Sequence, residues 1–225
     1  MPDIRPSPSI RWFLIAGATF VAVLLAAHLL ASPLVGLLNS DGVRRFDRAA
    51  WEVARSHSGS TSLAVMTLVS AMHGTIGILV LTAAGAWGWR RCGHLDACVR
   101  LLLAVPAGML LNVLVKAAIH RVRPDWALVD LPGSYSFPSG HVAEATVFYG
   151  SLALEATALG LRKIQRLAVA LGAVAMIALV AGSRVVLGVH FMSDCVGAAF
   201  EGALWLAACF NGRPLRAAAA AAGAR

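Results

Sequence analysis

The chain has 225 residues, of which 59% are hydrophobic and only 13% are charged, and its formal net charge is +8 at pH 7. These proportions exclude an average soluble domain and indicate that the lipid bilayer is the main solvent. The positive charge does not indicate a nucleic-acid partner, because the basic residues are spread over short loops without interleaved aromatics. Anionic lipid headgroups and phosphates explain it better.

Six apolar segments are candidates for membrane spans. Residues 12–40 and 56–89 contain no Asp, Glu, Lys or Arg, and each is long enough to cross a hydrocarbon core that needs about 20 residues. Four further candidates are interrupted by polar residues: 101–119, 141–161, 167–187 and 190–210. We therefore predict an all-α, polytopic membrane bundle with about six transmembrane helices, forming one domain over residues 1–225.

The regions outside these spans give weaker indications. The low-complexity tail, 217–225, is expected to remain disordered. Residues 41–57 have apolar side chains at mixed spacing, which fits an amphipathic helix at the membrane interface or an ordinary surface helix or loop. The four cysteines lack metal-ligand spacing, so we expect no disulfide and no metal site. The oligomeric state is not indicated.

The distribution of Lys and Arg predicts the orientation. With six spans, the larger share of the 19 basic residues lies in loops on the side of the two termini, which predicts that both termini are cytoplasmic. Four arginines in the first loop on the other side run against this bias: Arg44, Arg45, Arg48 and Arg55.

Three short polar motifs interrupt the apolar sequence. They read Lys-x6-Arg-Pro at 116–124, Pro-Ser-Gly-His at 138–141 and Ser-Arg-x5-His-x3-Asp at 183–194. Because the six predicted helices alternate in direction, all three motifs fall on one membrane face, opposite the termini. In a bacterial inner membrane that face is periplasmic.

The residue types in these motifs suit phosphoryl transfer. His190 and Asp194 are one helical turn apart, so the carboxylate can accept the Nδ1 proton and leave Nε2 as a nucleophile. Ser139 can cap a helix whose free amides bind an anion, and Gly140 allows the backbone to approach a phosphate closely. Positive charge for the phosphoryl oxygens is available from three side chains: Lys116, Arg123 and Arg184.

Together the motifs resemble the tripartite signature of the type-2 phosphatidic acid phosphatase superfamily, which also includes vanadium haloperoxidases, and every signature position is matched. The resemblance covers about half the chain, 101–210. It implies a membrane lipid phosphatase in which His190 attacks phosphorus to form a phosphohistidine. His141 would be the general acid and then the base, Asp194 would orient His190, and no metal or other cofactor would take part.

The resemblance leaves the substrate and two alternatives open. The substrate would be a lipid phosphomonoester or diphosphate such as undecaprenyl diphosphate, phosphatidic acid or phosphatidylglycerophosphate, and the motifs contact only its phosphate. A phosphotransferase would use the same phosphohistidine with a lipid alcohol as acceptor. A noncatalytic lipid-binding or transport protein is the alternative from another class, whereas a haloperoxidase is disfavoured by the six spans.

Other ionisable residues lie near or within the spans. Glu144 follows His141 on the same helical face, where it either tunes that histidine, contacts a headgroup or makes a structural hydrogen bond. Glu155 and Glu201 are expected to face the bundle interior, and Glu201 to pack between helices.

Three basic residues near the motifs or within a span are given structural roles. His73 is interpreted as an interior histidine without a catalytic role. Arg121 is close enough to help the phosphate-binding cations, but we interpret it as an interfacial anchor, and His120 as an interface residue in preference to a second acid.

Overall fold

The computed structural model describes residues 10–130, 133–159 and 161–210, and in these ranges it contains helices and no strand. A short 3₁₀ turn, Thr157–Leu159, follows α7. The nine α-helices are α1 Ile10–Leu29, α2 Ala31–Leu38, α3 Asp41–Ser56, α4 Ser60–Met72, α5 Thr75–Arg91, α6 Leu95–Ile119, α7 Gly140–Ala156, α8 Lys163–Val186 and α9 Met192–Phe210. The prediction of an all-α fold is confirmed, and the predicted tail at 217–225 lies outside the described residues.

Two of the predicted spans are each divided into a pair of bent helices. The axes of α1 and α2 differ by 67°, and those of α4 and α5 by 64°. Pro33 lacks the N–H that would bond the carbonyl of Leu29, which interrupts the first pair. In the second pair, the Met72 carbonyl lies where a side chain on Gly77 would be, since a Cβ there would be 2.1 Å from its oxygen. Glycine at position 77 therefore permits this bend.

The number of spans is close to the predicted six. Among the described residues, α6, α8 and α9 are individually long and apolar enough to cross a membrane, and the bent pairs raise the number to as many as five. The fourth predicted span corresponds to α7, which has 17 residues and is about 25 Å long at 1.5 Å per residue. This is shorter than the hydrocarbon core of about 30 Å, so the count of six is approximate.

Helix α7 lies at the centre of the bundle, in contact with α5, α6, α8 and α9. Val142 and Ala145 are fully buried. Small residues allow the close approach of α9, because a Cβ on Gly202 would lie 2.8 Å from the Cβ of Thr146. Across the same core, the indole of Trp205 donates a hydrogen bond to the carbonyl of Ala104 at 2.9 Å, which joins α9 to α6.

The segment predicted as an amphipathic or surface element forms the regular helix α3, so the loop alternative is excluded. Helix α3 packs on α8 and α9. Its most buried side chain is an acid, Asp47, at 1% exposure, whereas Phe46 and Val53 are exposed. The contact of α3 with the bundle is therefore partly ionic.

Candidate active site

The three motifs meet at one end of the bundle, where α6 and α8 end and α7 and α9 begin. The Lys116 ammonium donates to the carbonyl of Pro138 at 2.7 Å. Ser139 N–H donates to the carbonyl of Asp194 at 3.2 Å. The Arg123 guanidinium donates to the carbonyl of Val189 at 2.7 Å. Each motif is therefore hydrogen-bonded to both of the others.

His190 is positioned in the short connection between α8 and α9, with 3% of its surface exposed. Its Nε2 lies 3.2 Å from Nη1 of Arg123. Because arginine can only donate hydrogen bonds, Nε2 must act as the acceptor, and the proton of the neutral ring is then on Nδ1. This tautomer leaves the lone pair on the nitrogen predicted to be the nucleophile.

The electrostatic surroundings keep His190 neutral. Burial lowers the pKa of His190 to about 4, with a further contribution from the cations Arg123 and Lys116, while Asp194 opposes the shift. A histidine with this pKa is uncharged at pH 7 and has a lone pair available for attack on phosphorus.

Asp194 lies on the predicted side of His190 but is not at the predicted hydrogen-bond distance. Its Oδ2 is 3.5 Å from Nδ1, beyond the usual 2.7–3.2 Å. The same oxygen accepts hydrogen bonds from Ser136 Oγ at 2.5 Å and Phe191 N–H at 2.9 Å. The spacing argument assumed a helix from 190 onwards, whereas α9 begins at Met192. His190 therefore precedes the helix and is offset from the face that Asp194 occupies.

Ser139, Gly140 and His141 are at the N-terminus of α7. Ser139 occupies the N-cap position, but its hydroxyl makes no capping bond and lies buried beside the thiol of Cys195. A Cβ on Gly140 would lie 3.3 Å from Asn112 Oδ1 and 3.5 Å from Glu144 Oε1. The first turn of α7 thus offers amides and a hydroxyl that makes no capping bond, a typical arrangement for anion binding.

Three cations surround these groups. Lys116 donates to backbone carbonyls, Arg123 to Ser134 and Val189, and Arg184 to the hydroxyl of Ser70. No carboxylate forms an ion pair with any of them in the described part of the chain. Their positive charge is therefore available to a phosphate.

The bend between α4 and α5 also lies at the site, although this part of the chain contains none of the three motifs. Ser70 holds Arg184, and a Cβ on Gly74 would lie 3.7 Å from Nε2 of His141. His73, at 2% exposure, bonds the carbonyl of Val69 and the hydroxyl of Tyr149, both at 2.8 Å. The interpretation of His73 as an interior histidine agrees with this geometry. Ser70 was not predicted as a site residue, because a single serine in an apolar segment does not form a recognisable motif.

The acids within the spans have different surroundings. Glu201 accepts a hydrogen bond from Asn112 at 2.8 Å, which joins α9 to α6 as expected. Glu155 forms an ion pair with Arg100 at 2.7 Å between α7 and α6. Glu144 has one buried oxygen, Oε2, with no partner among the described residues, so the structural hydrogen bond considered for it is not formed by that oxygen.

The interpretation of Arg121 as an interfacial anchor is wrong. Arg121 is 1% exposed and forms ion pairs with Asp194 at 2.5 Å and Asp47 at 3.0 Å. An extended connection follows α6 and turns this side chain into the bundle. His120, in contrast, is exposed, ends α6 with φ of 56° and packs on Tyr135.

The sequence and the fold now identify the class of protein. The family model of the PAP2 superfamily matches residues 97–217, and this chain belongs to that superfamily. Its apolar helices make it an integral membrane protein.

Two comparisons, one of sequence and one of structure, find similarity to Bacillus subtilis phosphatases. Phosphatidylglycerophosphatase B of strain 168 is 36% identical over 122 residues, which are 53% of this chain and 58% of that protein. The crystal structure described as the first transmembrane PAP2 type phosphatidylglycerolphosphate phosphatase matches with a TM-score of 0.67 and 27% identity, covering 90% of this chain and 97% of that one. The bundle is therefore shared beyond the motif region, while the first comparison spans little more than half of the relative.

Proposed function

We propose that this protein is a membrane lipid phosphatase that hydrolyses a lipid phosphomonoester or diphosphate through a phosphohistidine on His190. The observation that carries the proposal is that Nε2 of His190 lies 3.2 Å from Nη1 of Arg123, one of three cations at the site that have no carboxylate ion pair in the described residues. A nucleophile beside positive charge suits attack on a phosphate dianion.

The reaction has two steps. In the first, Nε2 of His190 forms a bond to phosphorus while the bond from phosphorus to the lipid oxygen breaks, and His141 donates a proton to that oxygen. In the second, His141 accepts a proton from water, the water oxygen attacks phosphorus, and the N–P bond breaks to release phosphate. Asp194 faces the Nδ1–H side of the ring and stabilises its positive charge.

The remaining signature residues bind the phosphoryl group. Lys116, Arg123 and Arg184 offset the charge on its oxygens, and the Ser139 hydroxyl with the amide of Gly140 completes the site. Because these side chains supply positive charge, we expect activity in the presence of a chelator.

The substrate is a lipid whose chains lie in the bilayer and whose phosphate reaches the end of the bundle. The name of the Bacillus subtilis relative makes phosphatidylglycerophosphate the first lipid to test, followed by phosphatidic acid and undecaprenyl diphosphate. We place the termini in the cytoplasm and the site on the periplasmic face of a bacterial inner membrane, because of the Lys and Arg bias.

The test is phosphate release from these three lipids by detergent-purified protein in chelator, with and without an added lipid alcohol. His190→Ala should abolish release, while His28→Ala, at an exposed position on α1, should not change it. Vanadate should inhibit competitively, because its five-coordinate form resembles the transition state.

Other outcomes would reject the proposal or its parts. A His190→Ala variant that keeps more than a few per cent of the activity would overturn the nucleophile assignment. Transfer only to the added alcohol would make the protein a phosphotransferase. If no phosphate is released from or transferred between any of the lipids, a noncatalytic lipid-binding or transport protein would be favoured. Loss of activity on chelation would reject the metal-free mechanism.

A further inference from the structure

We propose that Arg121, at one of the unspecified positions of the first motif, and Asp47, outside the three motifs on α3, are positioning residues that hold Asp194 and the start of α9 against His190. This inference rests on the proposed function of His190 as nucleophile. It assigns to helix α3 a part in the active site.

The Arg121 guanidinium is fixed on several sides. Its Nη1 donates to Asp194 Oδ1 at 2.5 Å and to Ser193 Oγ at 2.8 Å. Its Nη2 donates to Asp47 Oδ2 at 3.0 Å and to the carbonyl of Leu38 at 2.8 Å. A planar guanidinium binds such a set of acceptors in one orientation, which a lysine ammonium does not reproduce.

Asp47 completes the network from α3. Its Oδ1 accepts the backbone N–H of Ser193 at 2.8 Å, and its Oδ2 accepts the Ser193 hydroxyl at 2.7 Å. Ser193 is in the first turn of α9, where backbone N–H groups have no partner within the helix and the helix dipole favours a negative charge. The carboxylate of α3 therefore anchors the N-terminus of the helix that carries Asp194.

The network is enclosed and strongly charged. Asp47 and Asp194 have essentially no exposed side-chain surface, and Arg121 has 1%. The ring of Phe191 lies 4.1 Å from the guanidinium carbon and covers it. Buried charges in such a place are costly unless they are paired, so removal of one member leaves a partner uncompensated and changes the position of the others.

The connection to catalysis runs through the Asp194 carboxylate. One oxygen is held by Arg121, and the other lies 3.5 Å from Nδ1 of His190. Rotation or translation of this carboxylate therefore changes the distance to the nucleophilic ring. A displacement of about 1 Å in a catalytic arrangement can reduce the rate about 100-fold. Arg121 and Asp47 do not touch His190, so the expected effect is on kcat and not on KM.

Three variants separate the contributions of the network. Arg121→Gln should lower kcat about 100-fold, and Asp47→Asn about 10-fold, because Asn keeps the volume and part of the hydrogen bonding. Arg121→Lys keeps the charge without the planar fork and should give an intermediate kcat. In all three variants KM should stay within about twofold of wild type, since these side chains do not contact the phosphate.

The matched control is Glu155→Gln, which breaks another buried ion pair, with Arg100, between α6 and α7. It should lower thermal stability without lowering kcat. If Glu155→Gln reduces kcat as strongly as Asp47→Asn, the effect is general destabilisation and the proposal is overturned. The proposal also fails if Arg121→Gln keeps kcat within twofold of wild type, or if it raises KM while kcat is unchanged.

Two further readouts test the route through Asp194. In an Asp194→Asn background, Asp47→Asn should have little additional effect on kcat, whereas independent effects multiply. The ¹⁵N resonances of His190 should shift in Asp47→Asn and stay unchanged in Glu155→Gln. If wild type releases no phosphate from any lipid, the proposed function fails by itself. The positioning proposal is then decided by these resonances, and is rejected if Asp47→Asn leaves them unchanged.

Discussion

Nη1 of Arg123 lies 3.2 Å from Nε2 of His190, so the cation that would bind a phosphate oxygen also contacts the nitrogen that would attack phosphorus. This contact fixes the tautomer of His190, because arginine has no acceptor. It also places positive charge beside the ring, which disfavours the imidazolium. The two signature residues therefore act on each other as well as on the substrate.

The protonation state of His190 gives the first prediction. A histidine is neutral above its pKa, and burial lowers the pKa of His190 to about 4 from an ordinary value of about 6.5. His190 should therefore stay neutral and nucleophilic as the pH falls from 7 to 5. The measurement is a ¹⁵N NMR titration of histidine-labelled protein in detergent, without substrate, since a phosphomonoester itself titrates near pH 6.

His190→Gln removes the signal and so assigns it. A midpoint for His190 near 6.5 would show that the ring is more hydrated than its 3% exposure implies, and would contradict this prediction.

The second prediction concerns the planar fork of Arg123. Its Nε and Nη2 donate to the carbonyl and hydroxyl of Ser134 at 2.7 and 3.0 Å, while Nη1 reaches Val189 and His190. Lysine keeps the charge but cannot bind both sides at once. Arg123→Lys should therefore lower kcat/KM about 100-fold, measured as phosphate release from lipid in detergent.

A matched replacement separates this effect from a general intolerance of lysine. Arg166 Nε also donates a hydrogen bond to a backbone carbonyl, that of Leu161 at 2.8 Å. This arginine lies at the N-terminal end of α8, away from the active site. Arg166→Lys should leave kcat/KM unchanged. Equal losses in the two variants would mean that the fork of Arg123 has no special role.

The third prediction concerns Gly188, two residues before His190. It has φ of +70°, and a Cβ there would lie 2.7 Å from the carbonyl oxygen of Trp126. Gly188→Ala should destabilise the fold by about 1–2 kcal/mol from backbone strain alone, and should lower phosphate release by displacing His190. Thermal unfolding in detergent and the activity assay measure the two effects.

Gly182, inside α8, provides the comparison because a Cβ there meets nothing within 4 Å. Gly182→Ala should be neutral or stabilising, since alanine favours a helix. A Gly188→Ala protein as stable and active as Gly182→Ala would show that the turn before His190 accepts a side chain.

The sequence located the motif residues that the structure brings together, but not the residues that support them, for physical reasons. Lys116, Ser139 and His190 are recognisable because each motif keeps its chemistry within a few consecutive residues. Asp47 meets Ser193 across 146 positions of the chain, and a single acid in an amphipathic helix is read as solvent-exposed.

Helix lengths were less predictable for a related reason. Hydropathy continues beyond Ala156, where α7 ends, and across the bends at 30 and 73–74. Apolar composition does not indicate where the backbone hydrogen bonds of a helix end, so the helix boundaries could not be predicted from it. The bends depend on local contacts of Pro33 and Gly77, of which only the proline is visible as a breaker in the sequence.

The last prediction tests the orientation of the bundle. Of the four cysteines, Cys92 is exposed and the other three are buried, so a membrane-impermeant maleimide should label only Cys92. This residue lies between α5 and α6, on the side that we assign to the cytoplasm from the Lys and Arg bias. In right-side-out bacterial spheroplasts, Cys92 should be labelled only after the membrane is permeabilised. In a Cys92→Ser background, Asp130→Cys, exposed in the connection between α6 and α7, should be labelled in intact spheroplasts. The reverse pattern would place the active site in the cytoplasm, where lipid phosphates of the inner leaflet would be its substrates.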